Sequence, residues 1–191
     1  IVFLANKTVT NNGTLLINGN NAIRHQGASG TFTNNGTVTK TSAGNTALNL
    51  TTVNNNGTYN CNAGTITSFS VAFNNNGNII LSGAAFNNTS GFNHNAGSVI
   101  SGSGSFNNGN TLNLNIDQVF PASVTFTNTG NIEGAGNLTV NNDFTIQGSL
   151  TGGTLTVNGN TNWTGGSLGR SFTVEPGRTL TITTGNTKAF T

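Results

Sequence analysis

The sequence contains very little charge. Only 5% of its 191 residues are charged, against about 25% in ordinary domains, and the net charge is +2. Leu, Ile, Val and Phe still make up roughly a quarter of the chain, which is above the level typical of disorder. Because an unfolded chain of this apolar content is usually solvated by net charge, we expect a folded protein of unusual architecture.

The few basic residues are dispersed, and this argues against nucleic-acid binding. They are spread along the whole chain, at Lys7, Arg24, Lys40, Arg170, Arg178 and Lys188. No cluster among them matches a run of phosphates, so we expect no nucleic-acid partner.

Cysteine and long apolar runs are also scarce. Cys61 is the only cysteine, so no intrachain disulfide is possible, and we expect a small buried residue there. No run approaches the ~18 apolar residues of a membrane span, so we expect no membrane insertion. The chain opens at Ile1 without an initiator methionine, and we expect either a processed chain or an excerpt of a longer chain or fibre subunit.

What the chain does contain is a repeat. An apolar residue, a few Asn or Thr, a glycine and a second apolar residue recur, and the glycines at 13, 36, 57, 77 and 97 are separated by 23, 21, 20 and 20. Ile79 follows Gly77 as Val99 follows Gly97, and 126–130 with Ile132 forms a later copy. Phe86-Asn87-Asn88 returns 20 residues later as Phe106-Asn107-Asn108.

The second half repeats at a shorter step. The segments 137–142, 154–159 and 171–176 echo one another at a step of 17. Between these segments, Trp163 repeats the aromatic position of Phe144, and Leu168 repeats the position of Leu150. Residues 111–125, which include Pro121, interrupt the pattern, and we expect an irregular coil or loop there, because proline cannot donate to a β-ladder.

A sustained period of this length predicts a solenoid in which each repeat is one coil. Short alternating pieces such as Thr154-Leu155-Thr156-Val157, separated by Asn-Gly and Gly-Gly corners, indicate β-strands. The sequence therefore predicts an all-β, single-domain parallel β-helix (β-solenoid) over 1–191, with coils of about 20 and then about 17 residues. An antiparallel sandwich or propeller with Asn-Gly hairpins is the alternative.

Stacked coils explain the repeated residue types. Because successive coils lie ~4.8 Å apart, a residue at the coil period lies above its own copy. We expect Phe86, Phe106 and Phe126 to form one core stack, and repeated corner asparagines to form amide ladders. Charges in such positions would repel one another, which accounts for their scarcity.

The NNGT-type corners and the stretch GGTLTVNGNTNWTGGSLGRSFTVEPGRTLTI (152–182) resemble the repeats of large secreted bacterial β-solenoid proteins. The best known of these are the filamentous-haemagglutinin-type adhesins. The resemblance implies an extracellular or cell-surface location and a role in a fibre.

Residues for catalysis are few. The acidic residues are Asp117, Glu133, Asp143 and Glu175, and only Asp117 and Glu133 have a spacing that brings two carboxylates near each other, as glycoside hydrolysis requires. His25 and His94 lie more than three coils apart, with no third ligand in register for zinc. We predict no enzyme, no catalytic residues, no metal site and no cofactor.

The leading hypothesis is a non-catalytic structural or adhesive segment of an extracellular fibre. Its expected partners are identical subunits joined end to end or adjoining repeats of the same chain, together with cell-surface glycans. The alternative is a module that binds glycan or ice through outward Thr-x-Thr pairs, and a polysaccharide-degrading β-helix enzyme is the least favoured. Those pairs are Thr37/Thr39, Thr65/Thr67, Thr154/Thr156 and Thr179/Thr181.

Overall fold

The protein folds as a parallel β-solenoid of about nine turns with coils of roughly 20 residues. The computed structural model describes residues 2–4, 6–20, 23–26, 29–70, 72–183 and 185–191. Within these ranges no residue is helical, and successive coils pair through parallel strands. The predicted fold class is therefore confirmed, and the antiparallel alternative is wrong.

Each coil of the first part contributes one strand to each of three faces. The first face contains β1 (Val2–Leu4), β4 (Ile23–Gln26), β7 (Asn45–Asn49), β10 (Thr65–Ser68), β13 (Ala85–Asn88), β16 (Ser105–Asn108) and β19 (Thr125–Asn128). The second face contains β2 (Lys7–Asn11), β5 (Gly30–Asn34), β8 (Thr52–Asn55), β11 (Ala72–Asn75), β14 (Gly91–His94), β17 (Thr111–Leu114) and β20 (Asn131–Glu133). The third face contains β3 (Thr14–Ile17), β6 (Thr37–Lys40), β9 (Thr58–Cys61), β12 (Asn78–Leu81) and β15 (Val99–Gly102).

The later coils join two faces through longer strands. The remaining strands are β18 (Gln118–Phe120), β21 (Leu138–Val140), β22 (Phe144–Ile146), β23 (Leu150–Val157), β24 (Thr161–Trp163), β25 (Gly166–Val174), β26 (Leu180–Ile182) and β27 (Lys188–Phe190). β23 pairs with β20 through Leu150 and with β21 through Leu155 to Val157. A corner is thus spanned by one continuous strand, and the coil is correspondingly shorter.

The core is built from alternate residues of each strand. In β13 and β16 the outward residues are partly exposed while Phe86 and Phe106 are fully buried. These two rings stack at 5.5 Å with planes 1° apart, and Phe126 follows at 6.2 Å. The predicted phenylalanine stack is confirmed, and a second stack on the neighbouring face places Phe73 5.0 Å from Phe92.

Close approach of the backbone explains the repeated corner glycines. A Cβ on Gly36 would lie 2.1 Å from the carbonyl oxygen of Gly13, and one on Gly57 would lie 2.0 Å from that of Gly36. The same holds for Gly77 above Gly57, at 2.1 Å. No side chain fits at these separations, which accounts for the glycines at 36, 57 and 77.

The glycine alignment fails at one coil. Gly97 adopts a positive φ of 84° and does not stack on Gly77. The extra residue at this corner shifts the following strand, so Ile100 lies opposite Ile79 and Val99 is 49% exposed. The equivalence of Val99 with Ile79 expected from the sequence is therefore wrong by one residue.

Two other alignments also need correction. Phe126 lies on the first face and Ile132 on the second, whereas Phe32 and Val38 occupy the second and third, so the later copy turns a different corner. Trp163 lies beside Ile146 and not beside Phe144. In contrast, the pairs Val140–Val157 and Leu150–Leu168 are in register as predicted.

The stretch 111–125 is regular on one face and altered on another. β17 continues the second face without interruption, while the third-face ladder ends at β15. The side chain of Gln118 bridges the break, because its Oε1 accepts from the Ile100 N–H at 3.3 Å and its Nε2 donates to the Ile100 carbonyl at 3.1 Å. Pro121 lies in the turn that follows β18.

Candidate functional site: buried polar ladders, outer faces and the open end

A buried ladder of asparagine amides lines one corner of the solenoid. Asn11 donates to Asn34 at 2.8 Å, Asn34 to Asn55 at 2.9 Å, and Asn55 to Asn75 at 2.7 Å. The three donating Nδ2 groups, on Asn11, Asn34 and Asn55, also donate to a backbone carbonyl of the next coil, as Asn34 does to Thr58 at 3.2 Å. The predicted amide ladder is confirmed, and it adds side-chain donors to backbone carbonyls inside the corner.

His94 ends this ladder. It stands opposite Asn75 in register and is fully buried, and Ser98 Oγ lies 2.9 Å from its Nδ1. Burial lowers the pKa of the imidazole to about 4, so the ring is neutral at physiological pH. The Nδ2 of Asn75 finds no hydrogen-bond partner within the described part of the chain.

Further ladders run parallel to the first. A second buried ladder links Asn88 to Asn108 at 2.7 Å and Asn108 to Asn128 at 2.6 Å. An exposed ladder runs along the corner next to the first, through Asn12, Asn35, Asn56, Asn76, Asn95 and Asn115. The structure thus offers buried and solvated versions of the same interaction.

Lys40 and Cys61 meet inside the third face. They are adjacent in register and both fully buried, and Lys40 Nζ donates to Ser42 Oγ at 2.8 Å and to the Ser42 carbonyl. Burial lowers the pKa of Lys40, which the neighbouring Cys61 opposes. Burial raises the pKa of Cys61 to about 12, against an opposing effect of Lys40, so the thiol stays protonated and is a poor nucleophile. Cys61 is buried as predicted, whereas the burial of Lys40 is unexpected.

Arg170 is a second buried cation, and its burial was not predicted from the sequence. Its guanidinium donates to the carbonyls of Gly136 at 2.8 Å, Gly134 at 3.4 Å and Thr154 at 3.5 Å. These carbonyls belong to corners of earlier coils. Burial lowers the pKa of Arg170, and the backbone dipoles around it solvate the charge in place of water.

Asp117 and Glu133, the two carboxylates whose spacing suggested a pair, have different neighbours. Asp117 accepts a hydrogen bond from the Asn137 N–H at 2.8 Å, while Glu133 stacks in register with Asn113. Asp143 accepts from the Asn160 N–H at 2.7 Å, and Glu175 lies in a corner of the last coil. In the described ranges no three His, Cys, Asp or Glu side chains group as metal ligands, and the side chain of His25 lies outside them.

The four threonine pairs do not share one face. Thr37/Thr39 lies on the third face, Thr65/Thr67 on the first, Thr154/Thr156 on β23, and Thr179/Thr181 at β26. Vertical rows of threonine do occur in the early coils. Thr8, Thr31 and Thr52 align on the second face, and Thr14, Thr37 and Thr58 align on the third.

The last coil leaves core positions uncovered. Val174, Ile182 and Phe190 are 43%, 56% and 76% exposed. Their register partners one coil earlier, Val157, Trp163 and Leu168, are all buried. We call Val174, Ile182 and Phe190, with the partly buried Phe172 and Leu180, the open end.

The strands, registers and corners together define a three-faced parallel β-solenoid. No family model matches the chain, and neither the search of curated proteins nor that of solved structures found a match. The likeness to filamentous-haemagglutinin-type adhesins therefore remains an inference from repeat style. No helix long and apolar enough to cross a bilayer occurs among the residues that the structure describes.

Proposed function

We propose that this chain is a non-catalytic structural segment of an extracellular or cell-surface fibre, in which solenoid coils continue from one unit into the next. The observation that carries the proposal is the open end. Its apolar side chains occupy the inward positions that are buried in the preceding coils, so one more coil would cover them.

The physical driving force resides in both side chains and backbone. Covering the open end would remove several large apolar side chains from water, each worth about 1.5–3 kcal/mol when fully buried. The outermost strands also present backbone groups that a further parallel strand would pair. Either a second copy of the chain or adjoining repeats of the same chain would cover the apolar side chains and provide the pairing strand. A head-to-tail contact of this kind does not close on itself, so it produces filaments.

The composition supports an extracellular fibre. Stacking here rests on amide ladders and apolar rows, and ion pairs contribute little to a chain with 5% charged residues. Such contacts are insensitive to the ionic strength that screens exposed charges. The adhesive part of the proposal follows the repeat style shared with the secreted bacterial proteins.

Negative-stain microscopy and sedimentation velocity test the fibre proposal. We expect filaments or concentration-dependent association of the purified chain. The variant Ile182→Asp/Phe190→Asp should suppress both, because it places charges at the junction. Val119→Asp, at an exposed position on the side of the solenoid, is the matched control and should assemble like the wild type. A monodisperse monomer at high concentration would contradict the proposal.

The alternative function is surface binding through threonine. The row Thr8–Thr31–Thr52 and the adjacent pair Thr10–Thr33 form a small array on the second face, with methyls and hydroxyls at strand spacing. Such an array suits ice or a flat glycan surface. Measuring the thermal hysteresis of the wild type and of Thr31→Lys tests binding to ice. Freezing behaviour of both proteins equal to that of buffer would exclude it.

A further inference from the structure

Four residues form a row along another corner of the solenoid. Phe69, Thr89, Gly109 and Thr129 occupy the same corner position in successive coils. Each backbone N–H donates to a carbonyl of the preceding coil: Phe69 to Leu48, Thr89 to Ser68, Gly109 to Asn88, and Thr129 to Asn108, at 2.8–3.1 Å. Because coils are ~4.8 Å apart, this row extends about 15 Å along the solenoid axis.

Three residues of this row, Thr89, Gly109 and Thr129, line a shallow groove, and Phe69 lies one coil before them. The groove has a volume of about 310 Å³, and its outward lining includes Asn87, Asn107, Thr127, Thr89 and Thr129. Gly109, which carries no side chain, leaves a notch between the two threonines of the row. None of the lining residues is charged.

The lining keeps hydrogen-bonding groups available. Asn107 Nδ2 donates to Asn87 Oδ1 at 2.8 Å, which orients both amides. That bond leaves the Nδ2 of Asn87 as a donor and the Oδ1 of Asn107 as an acceptor, with the Thr127 hydroxyl beside them in register. A ligand that presents alternating hydroxyl donors and acceptors satisfies these groups.

Phe69 supplies an aromatic surface at one end of the row. Ile66, Ser68 and Ser70 point inward, so the alternation turns Phe69 outward, and it is 50% exposed. It lies one coil before Thr89. A half-exposed ring next to oriented, uncharged amides is a combination that suits a ligand with both apolar C–H faces and hydroxyl groups.

We propose that the groove formed by Asn87, Asn107, Gly109 and Thr127, together with the Phe69 ring, binds a neutral polysaccharide strand laid along the solenoid axis. The C–H face of one sugar packs on Phe69, and the hydroxyls of the following sugars bond to Asn87, Asn107 and Thr127. This site is distinct from the open end, so the proposal does not depend on fibre assembly.

Affinity electrophoresis tests the site with defined probes. Wild type would run through native gels containing laminarin, galactomannan or dextran as neutral polysaccharides, or alginate or polygalacturonate as acidic ones. Three variants would run beside it: Phe69→Ser, Gly109→Gln and Leu16→Ser. Leu16 is also exposed but lies on the third face, so Leu16→Ser controls for loss of an exposed apolar side chain.

We expect retardation by at least one neutral polysaccharide, unaffected by 0.5 M salt. Phe69→Ser should weaken it about tenfold, as expected for one lost contact of moderate strength. Gly109→Gln should weaken it by filling the notch, and Leu16→Ser should leave it unchanged. No retardation by any neutral probe, retardation by the acidic probes alone, or equal binding by Phe69→Ser would overturn the proposal. Phe69→Ser alone decides the outcome if Gly109→Gln does not fold.

Discussion

The early and late coils solve the same packing problem in different ways. In the ladder coils (residues 30–94), asparagine amides donate to one another and to strand carbonyls of the next coil, as Asn34 does to Thr58 and Asn55 to Asn78. In the short coils (residues 134–174), a single guanidinium, that of Arg170, serves carbonyls of several corners. Both arrangements place side-chain donors on backbone carbonyls inside the solenoid.

The difference teaches how coil length and corner chemistry are linked. An asparagine ladder needs the same residue at the same corner of every coil, and in the ladder from Asn11 to Asn75 the bonded asparagines are 20 to 23 residues apart. Where β23 and β25 run through a corner as continuous strands, the asparagine position disappears and a long side chain from one coil reaches back to earlier ones. The asparagine ladder depends on a residue that is repeated in successive coils, whereas the guanidinium contacts depend on a single residue.

Breaking the aromatic stack should have the largest effect, because it runs from the ladder coils to the short coils. Phe106 stacks on Phe86, and the series continues from Phe126 to Phe144 at 5.5 Å. Phe106→Asn should destabilise the protein by about 4 kcal/mol, since it removes a buried ring and leaves an amide among apolar neighbours. Urea unfolding measures this, with the exposed Arg24→Ala as a nearly silent control. Equal costs for the two variants would refute the core assignment.

The end of the ladder at His94 makes stability depend on pH. The native pKa of about 4 lies below the ordinary 6.5, so the neutral ring is favoured by folding. The stability contributed is complete above pH 6.5 and is lost as the pH falls toward 4, by about 3 kcal/mol in total. Unfolding midpoints between pH 7 and 4 measure it. His94→Asn, which offers Asn75 a ladder partner, should flatten this dependence, and an unchanged slope would contradict it.

The buried and exposed ladders should differ in energy although their hydrogen bonds have similar lengths. Asn55→Ala removes bonds to Asn34 and Asn75 inside the protein and should cost about 2 kcal/mol. Asn56→Ala, in the exposed ladder, should cost about 0.5 kcal/mol or less because water replaces the lost partners. Thermal unfolding of the two variants tests this, and a reversed order would show that burial does not set the ladder's contribution.

Among the buried groups, replacing the guanidinium of the short coils should have the smallest effect. Arg170→Leu leaves the carbonyls of Gly134 and Gly136 unpaired but also removes a buried charge, so we expect a net loss of about 1–2 kcal/mol. Arg178→Leu, at an exposed corner, serves as the control and should be neutral. Hydrogen exchange should localise the loss to the short coils, and protection lost first in the ladder coils would contradict this picture.

The sequence by itself determined the coil and most of its register. Residues spaced at the coil period must stack when parallel strands lie ~4.8 Å apart, so the stack of Phe86, Phe106 and Phe126 and the alignment of Val140 with Val157 followed from spacing alone. The glycine period at Gly36, Gly57 and Gly77 also followed, because the stacked backbone at this corner leaves no room for a Cβ.

The tertiary structure alone decided where an extra residue is absorbed and which charged residues enter the core. The corner at Gly97 contains one extra residue. Because side chains alternate along a strand, this shift by one residue turns Ile100 inward in place of Val99. Alternation places Lys40 with Val38, and Arg170 with Leu168, on the inward side, but a cation is ordinarily expected to face water. Burying them depends on carbonyls and hydroxyls brought from distant positions, such as Gly136 for Arg170, and only the folded coil sets those distances.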